Sequence, residues 1–279
     1  TYMHDQVQRI FELPPSKLDV VPNGVALRME GATDVGATDV GATDVGAADR
    51  PVQPEAPTVL FAGRLEYEKG VQTVIEAAPS VLAAHPGTRF VVAGTGTYEH
   101  ALRNQVDAAG LTDRVTFLGF VDGERMAELY RTATVVVAPS IYEPFGIVAL
   151  EAMAARVPVI VGDTGGLREL VTDGTNGLRV TPEDPDALAD AICTVLAHPD
   201  VAASLVAGAE EGTHSRGWRM IARRTVAVYE RSIDEEAAFH AGEGVDEHPP
   251  LRLVWDASHA YRRVVDRDDD TADPAAADV

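Results

Sequence analysis

From Pro57 onward the chain alternates short apolar runs with segments of helical period, and this alternation constrains its architecture more than any other feature. Thr58–Ala62, Arg89–Ala93, Val115–Leu118, Thr134–Ala138, Val157–Val161 and Gly177–Val180 each read as a strand bounded by turn residues. Between them, segments around Val71–Leu82, Tyr98–Ala109, Glu124–Tyr130, a stretch opening near Pro144 and a short one from about Leu167 read as helices. Strands separated by helices pair through crossovers rather than hairpins. The expected fold is therefore α/β, a Rossmann-like doubly wound parallel sheet, with the short sixth strand near an edge. Helices dominate afterwards, at Pro185–Leu196, Val201 to about Gly212, and Arg216 to Ile233.

The flanks read differently. Residues 1–25 offer a short helical stretch (Val7, Ile10, Phe11), then Pro14-Pro15 and a Pro22-Asn-Gly-Val25 turn, too little for a domain. Residues 26–56 carry Gly-Ala-Thr-Asp-Val three times over, with a decayed fourth copy at Gly46–Arg50. A five-residue period buries neither a helix nor a strand face, so a solvated acidic loop is expected, and its Gly and Asp are too sparse for a calcium repeat. Residues 57–235 form the expected domain. Residues 236–279 read as an extension with a short element around Leu253 and an acidic tail. The Asp266–Asp270 run in that tail reads as solvating charge rather than a metal site.

A net charge of -21 argues against nucleic acid and anionic membrane surfaces as partners. Lys17 and Lys69 are the only lysines among 23 basic residues, and an acidic, lysine-poor chain suggests a salt-adapted host. Cys193, the single cysteine, falls on an apolar helical face and is expected to be buried and inert; it excludes an intrachain disulfide and a cysteine metal cluster. No apolar run reaches the length of a membrane span, and no leader precedes Thr1, so a cytoplasmic location without a transmembrane segment is expected.

The chemistry-bearing residues cluster in loops that follow strands. After the first strand, Gly63-Arg-Leu-Glu-Tyr-Glu-Lys-Gly70 places a planar guanidinium and a compact ammonium between glycines that let backbone approach a ligand. Two readings stand: Arg64 and Lys69 bind a diphosphate, or they are surface charges, Lys69 pairing with Glu66 or Glu68. A lysine where this chain otherwise writes arginine favours the first. Gly94-Thr-Gly96 is either a simple tight turn or a loose dinucleotide loop whose third glycine is replaced by Glu99. Gly119-Phe120-Val121 offers an apolar rim for a nucleobase, and Gly165-Gly166 is expected just before a helix. The longest constellation is Ser140-Ile-Tyr-Glu-Pro-Phe-Gly-Ile-Val-Ala-Leu-Glu-Ala-Met-Ala154, with Glu143 in a strand-to-helix loop and Glu151 on the second turn of the helix. Two carboxylates beside free helix amides, at the carboxyl ends of parallel strands, suit an anionic, hydroxyl-rich ligand.

In that order, Gly63-Arg-Leu-x-x-x-Lys-Gly70, Gly119-Phe-Val121, Tyr142–Ala154 and Gly165-Gly-Leu-x-Glu169 resemble the donor half of retaining glycosyltransferases of the GT-B fold, family 4, the group 1 type. The Tyr142–Met153 element looks most like the glycogen-synthase-like branch, and the resemblance covers about residues 18 to 233. It implies a nucleotide-diphosphate sugar as donor substrate, a glycan or other hydroxyl acceptor, and no cofactor or metal. It also implies roles. Arg64 and Lys69, next to Gly63, would hold the diphosphate and stabilise the leaving group. Glu143 would hold sugar hydroxyls, as a positioning group rather than a nucleophile, with Phe145, Gly146 and Ile147 around sugar and phosphate. Glu151 would accept from the ribose hydroxyls, and Phe120 would line the donor pocket. A nucleotide-sugar epimerase, which shares the two-domain architecture, lacks this Glu-x7-Glu element and is disfavoured.

Some positions depart from the family pattern. Ala26 replaces the Asp after the hinge, Arg168 replaces a Pro, and Arg156 replaces the Gly that ends the central helix, at a cost of about 1 kcal/mol if it adopts the left-handed cap. Family members also carry an N-terminal domain of similar size, of which residues 1–25 would be a remnant. A fragment, one half of a split enzyme needing a separate N-terminal half, a non-catalytic sugar-nucleotide module, and a decayed gene product are all open on that count. The long helix to Ile233 would then leave an apolar face around Ile221, Val226 and Tyr229 partly exposed.

Overall fold

The computed structural model describes residues 2–25 and 56–241. The repeat at 31–45 and the segments expected around Leu253 and at Asp266–Asp270 lie outside them. Six strands, β1 (Thr58–Ala62), β2 (Arg89–Ala93), β3 (Val115–Gly119), β4 (Val135–Ala138), β5 (Val159–Gly162) and β6 (Leu178–Val180), form one parallel sheet. Its order is β3-β2-β1-β4-β5-β6, the doubly wound arrangement, with β6 at an edge as expected. Five helices follow strands β1 to β5: α2 (Val71–Ala84), α3 (Glu99–Ala108), α4 (Gly123–Thr132), α5 (Ile147–Ala154) and α6 (Gly165–Leu170). Then come α7 (Pro185–Ala197), α8 (Pro199–His214) and α9 (Trp218–Ala241), while α1 (Tyr2–Phe11) stands at the start.

Both faces of the sheet are covered, which explains why its strands read as continuous apolar runs. Alternate side chains divide between two cores. Val59, Phe61, Val135 and Val137 pack with Val74, Leu102, Leu188 and Ile192 of α2, α3 and α7. Leu60, Ala62, Val136 and Val161 pack with Tyr130, Leu150, Met153 and Leu167 of α4, α5 and α6. Helix starts follow local chemistry where polar side chains are available: Asp122 accepts from the Arg125 amide (2.9 Å) to cap α4, and Asp184 accepts from the Ala187 amide (2.9 Å) ahead of Pro185 in α7.

Several local expectations are corrected. β5 begins at Val159, not Val157. Helix α5 begins at Ile147 rather than at Pro144, because the Glu143 carbonyl accepts from the Gly166 amide (2.8 Å) and holds Glu143-Pro144 against α6. Gly165 and Gly166 do not precede α6 but open it. A Cβ on Gly166 would stand 2.2 Å from the Pro144 oxygen, so glycine serves this contact between loop and helix. Cys193 is half-buried rather than buried, with desolvation pushing its thiol above the ordinary range.

The chain divides into two compact units after Val228. In the first, Val25 of the Pro-Asn-Gly-Val turn is buried, its amide donating to the Arg216 carbonyl (2.9 Å). The face of α9 expected to be partly exposed is so: Val226 and Tyr229 are exposed, while Ile221 is buried. Ile221 and Trp218 pack over Gly24, where a Cβ would meet the Trp218 ring at 2.7 Å. The described part of the second unit is the remainder of α9, residues 229–241. Among the described residues no single helix is long and apolar enough to cross a membrane.

Arg156 sits at φ 62 just past α5, in the left-handed region that favours glycine, so the strain expected for a side chain at this cap is present. Its guanidinium reaches Glu210 at 2.8 Å, but both side chains are well exposed, so the pair contributes little. Arg156→Gly is expected to raise stability by about 0.5–1 kcal/mol, read as a higher urea midpoint at unchanged slope. A lower midpoint would mean that the Glu210 contact outweighs the backbone strain.

Candidate functional site

The site forms where the strand order reverses, between the loops that leave the carboxyl ends of adjacent β1 and β4. The β1 loop turns through a 3-10 segment, Tyr67–Lys69, and ends on Gly70 at φ 77, which also starts α2. A Cβ on Gly70 would stand 2.1 Å from the Pro139 oxygen, so glycine lets this loop lie directly on the β4 loop. The Ile141 amide then donates to the Glu68 carbonyl (2.8 Å), stitching the two loops by backbone.

This stitching brings Lys69 and Glu143 together. Lys69 Nζ donates to Glu143 Oε2 at 2.9 Å, and the side chains are only 14% and 20% exposed. Glu143 Oε1 also accepts from the Phe145 amide (3.3 Å), so both carboxylate oxygens are held. The local alternative, Lys69 paired with Glu66 or Glu68, is not what the loops form. Glu68 instead meets Arg64, at 3.4 Å, and Arg64 stays largely exposed at the rim, outside the Lys69–Glu143 pair. Glu66 turns to the β2 loop, accepting from the Thr97 hydroxyl (2.5 Å) and amide (3.1 Å); the hydroxyl bond is the chief cause holding its carboxyl below the ordinary value.

Gly94-Thr-Gly96 proves to be a packing device for the β1 loop. Leu65 donates its amide to the Thr95 carbonyl (2.9 Å) and accepts from the Tyr98 amide (2.9 Å), and a Cβ on Gly96 would meet the Leu65 oxygen at 2.2 Å. Gly63 leaves β1 with its amide on the Ala93 carbonyl (3.0 Å). Gly146 adopts φ 78 ahead of Ile147, whose helix presents its first-turn amides without acceptors within α5. Phe145 and Ile147 are half-exposed, and Phe120, after β3, is 83% exposed. The carboxyl edge of the sheet therefore offers a cation–carboxylate pair, helix amides and apolar rings. That combination suits a ligand with charged, hydroxylated and planar parts.

Glu151 lies on the second turn of α5, as expected, and has a partner that sequence reasoning missed: the Tyr130 hydroxyl of α4 donates to Glu151 Oε2 at 2.9 Å. Also missed was the contact of α1 with the site's border. The Tyr2 ring meets Tyr142 edge-on (centroids 6.3 Å apart), and the Tyr2 amide donates to Glu169 of α6. Burial, foremost, raises the Tyr142 hydroxyl above its ordinary value. Neither contact is marked by local spacing. Among the described residues no group of three or more His, Cys, Asp or Glu side chains is placed to hold a metal.

Comparison with known proteins gives a consistent picture. The sequence profile of the family described as "Glycosyl transferases group 1" matches residues 47–212. An uncharacterized glycosyltransferase of Methanocaldococcus jannaschii is 36% identical over 233 residues, 83% of this chain and 58% of the relative. Glycogen synthase of Mycobacterium tuberculosis is 39% identical over 172 residues, 61% of this chain and 42% of that protein. Among solved structures, sucrose-phosphate synthase of Thermosynechococcus elongatus superposes with a TM-score of 0.61 at 36% identity, over 64% of this chain and 46% of its own. HepE of Anabaena, crystallised with UDP and glucose, gives 0.59 at 28% identity, over 62% and 48%. The chain thus spans about half the length of the curated relatives it matches.

Proposed function

Given that this chain belongs to the group 1 glycosyl transferases, a family of GT-B type, we propose that it is the donor-binding half of a retaining, family 4 enzyme. Its ligand is a nucleotide-diphosphate sugar, and the reaction moves a hexose to a glycan or other hydroxyl acceptor. The observation that carries this reading is the Lys69–Glu143 pair at the switch point of the sheet. It puts a cation for phosphate and a carboxylate for sugar hydroxyls within one hydrogen bond of each other. The UDP and glucose bound by the Anabaena relative support the ligand class.

In this reading Lys69, with Arg64 swinging in from the rim, holds the diphosphate. The bond between the anomeric carbon and the phosphate oxygen breaks, its electron pair staying on phosphate, where the cations stabilise the growing charge. The acceptor oxygen bonds to the same face of the anomeric carbon and its proton passes to the departing phosphate. Glu143 orients sugar hydroxyls. Donation to both its oxygens by Lys69 and the Phe145 amide spreads its charge, which favours positioning over nucleophilic attack. Gly63 and the amides around Phe145, Gly146 and Ile147 border sugar and phosphate, Phe120 borders the base, and Glu151 accepts from ribose. No step calls for a metal or cofactor. The acidic, lysine-poor composition supports a salt-rich cytoplasm as the setting.

A thermal-shift screen of UDP-, ADP- and GDP-sugars, in low and high salt, tests the reading. A true donor at about a hundred times its Kd contributes about 2.7 kcal/mol, or an upward shift of roughly 5–10 °C for a domain of this size. No shift with any donor at either salt concentration would sink it. A second reading, donor binding without transfer, rests on the same Lys69–Glu143 pair, which can hold a nucleotide sugar whether or not an acceptor is served. Adding the N-terminal half of a full-length relative in trans separates the two: restored transfer supports the enzyme, and binding without transfer supports the module.

A further inference from the structure

We propose that Tyr130 is a positioning residue for nucleotide recognition, acting through Glu151 to make the site selective for ribose hydroxyls. The inference rests on the reading of Glu151 as the ribose acceptor given above.

Tyr130 has no exposed surface and lies inside the apolar core between the sheet, α4 and α5. Its hydroxyl ends on Glu151 Oε2 at 2.9 Å, joining two helices through residues 21 apart in sequence. The hydroxyl is a costly occupant of such a place, since it must be stripped of water while its partner Glu151 is only half-buried, and a phenylalanine of similar volume would pack at least as well. The rest of α5 shows that the core does not require polarity here: Ala149, Leu150, Ala152 and Met153 are all buried and apolar. The polar pair therefore points outward, to what Glu151 binds.

The phenol is suited to that task. Burial, and after it the Glu151 charge, raises its titration well above the ordinary value, so it stays neutral and acts as a donor across the working pH range. A phenol fixed by the core holds the carboxylate in one rotamer. The carboxylate then meets vicinal hydroxyls without first losing side-chain freedom, which is where preorganisation gains affinity. A Phe at this position keeps the packing and removes only the fixing bond.

The test is calorimetric titration of the full 279-residue chain, its Tyr130→Phe variant and its Glu151→Ala variant. The probes are UDP and ADP, each beside its 2′,3′-dideoxy counterpart. The readout is the ratio of dideoxy to ribo Kd within each protein, because partial unfolding lowers both affinities alike and cancels. Tyr130→Phe should cut the unaltered chain's ratio by about tenfold, the worth of one bond to a charged group, with the dideoxy affinity changed by less than about twofold. Glu151→Ala should bring the ratio close to one. A Tyr130→Phe ratio equal to that of the unaltered chain, with the Glu151→Ala ratio collapsed, would overturn the inference while leaving the ribose role intact. A Glu151→Ala ratio that did not change would instead overturn the ribose role itself and the inference with it. Loss of both affinities in equal proportion in Tyr130→Phe would mark a purely structural residue and also count against it.

Discussion

Lys69→Ala is expected to weaken binding of the preferred nucleotide sugar by about 30- to 100-fold, the worth of one charge-assisted contact to phosphate. It should also destabilise the unliganded chain. Glu143 would lose the partner of a pair in which neither side chain is more than a fifth exposed, at a cost of roughly 1–3 kcal/mol, less than for a fully buried pair. Lys69→Ala with Glu143→Ala should recover part of that stability, because no carboxylate is left without its cation, yet recover none of the affinity. The two readouts thus separate the pair's structural role from its proposed role at phosphate. Lys69→Arg is not expected to rescue binding: a guanidinium is broader and longer than the ammonium the stitched loops enclose. Titration calorimetry with urea unfolding on the same samples measures both effects. Wild-type affinity in Lys69→Ala would remove the residue from the site.

The second large effect is expected at Gly70→Ala. The added methyl would meet the backbone oxygen of Pro139 at 2.1 Å, and φ 77 is unfavourable for alanine even without that contact. Backbone cannot swing aside as a side chain does, so the β1 loop must lift off the β4 loop. The expected cost is about 2–4 kcal/mol, from overpacking and left-handed strain together. Donor affinity should fall too, because lifting the loop separates Lys69 from Glu143 and loosens the Ile141–Glu68 hydrogen bond. Urea unfolding checks the stability term. A variant as stable as the parent would mean that the two loops are not held as tightly as the backbone contact implies.

Much of this was legible from the chain alone, for identifiable reasons. The strands are buried on both faces, so each appears as an uninterrupted run such as Val135–Ala138, and the glycines after them mark where loops turn. Periodicity also placed Glu151 on the second turn of α5. What could not be read are contacts between distant segments. Tyr130 looks like one more core residue of an amphipathic helix until α5 is packed beside it. Lys69 has acidic neighbours at Glu66 and Glu68, and only the stitched loops show that it reaches across to Glu143, 74 residues away. The start of α5 was misread at Pro144 for the same reason. Proline suits the first turn of a helix, but here a tertiary hydrogen bond from the Gly166 amide to the Glu143 carbonyl holds the chain out of helix until Ile147. Nor could it be read which residue of the partly exposed α9 face is covered: Ile221 is, because the Gly24 turn folds beneath it.

The central claim is that the loop carrying Lys69 receives the donor's diphosphate, and the chain's composition offers a direct measurement. Lys17 and Lys69 are its only lysines, so 15N-lysine labelling yields a two-peak amide spectrum, assignable with Lys17→Arg. Titrating in the nucleotide sugar that scores in the thermal screen should move the Lys69 peak saturably and leave Lys17 in place. A Lys69 peak unmoved at concentrations that saturate the thermal shift would contradict the account, since the donor would then bind elsewhere.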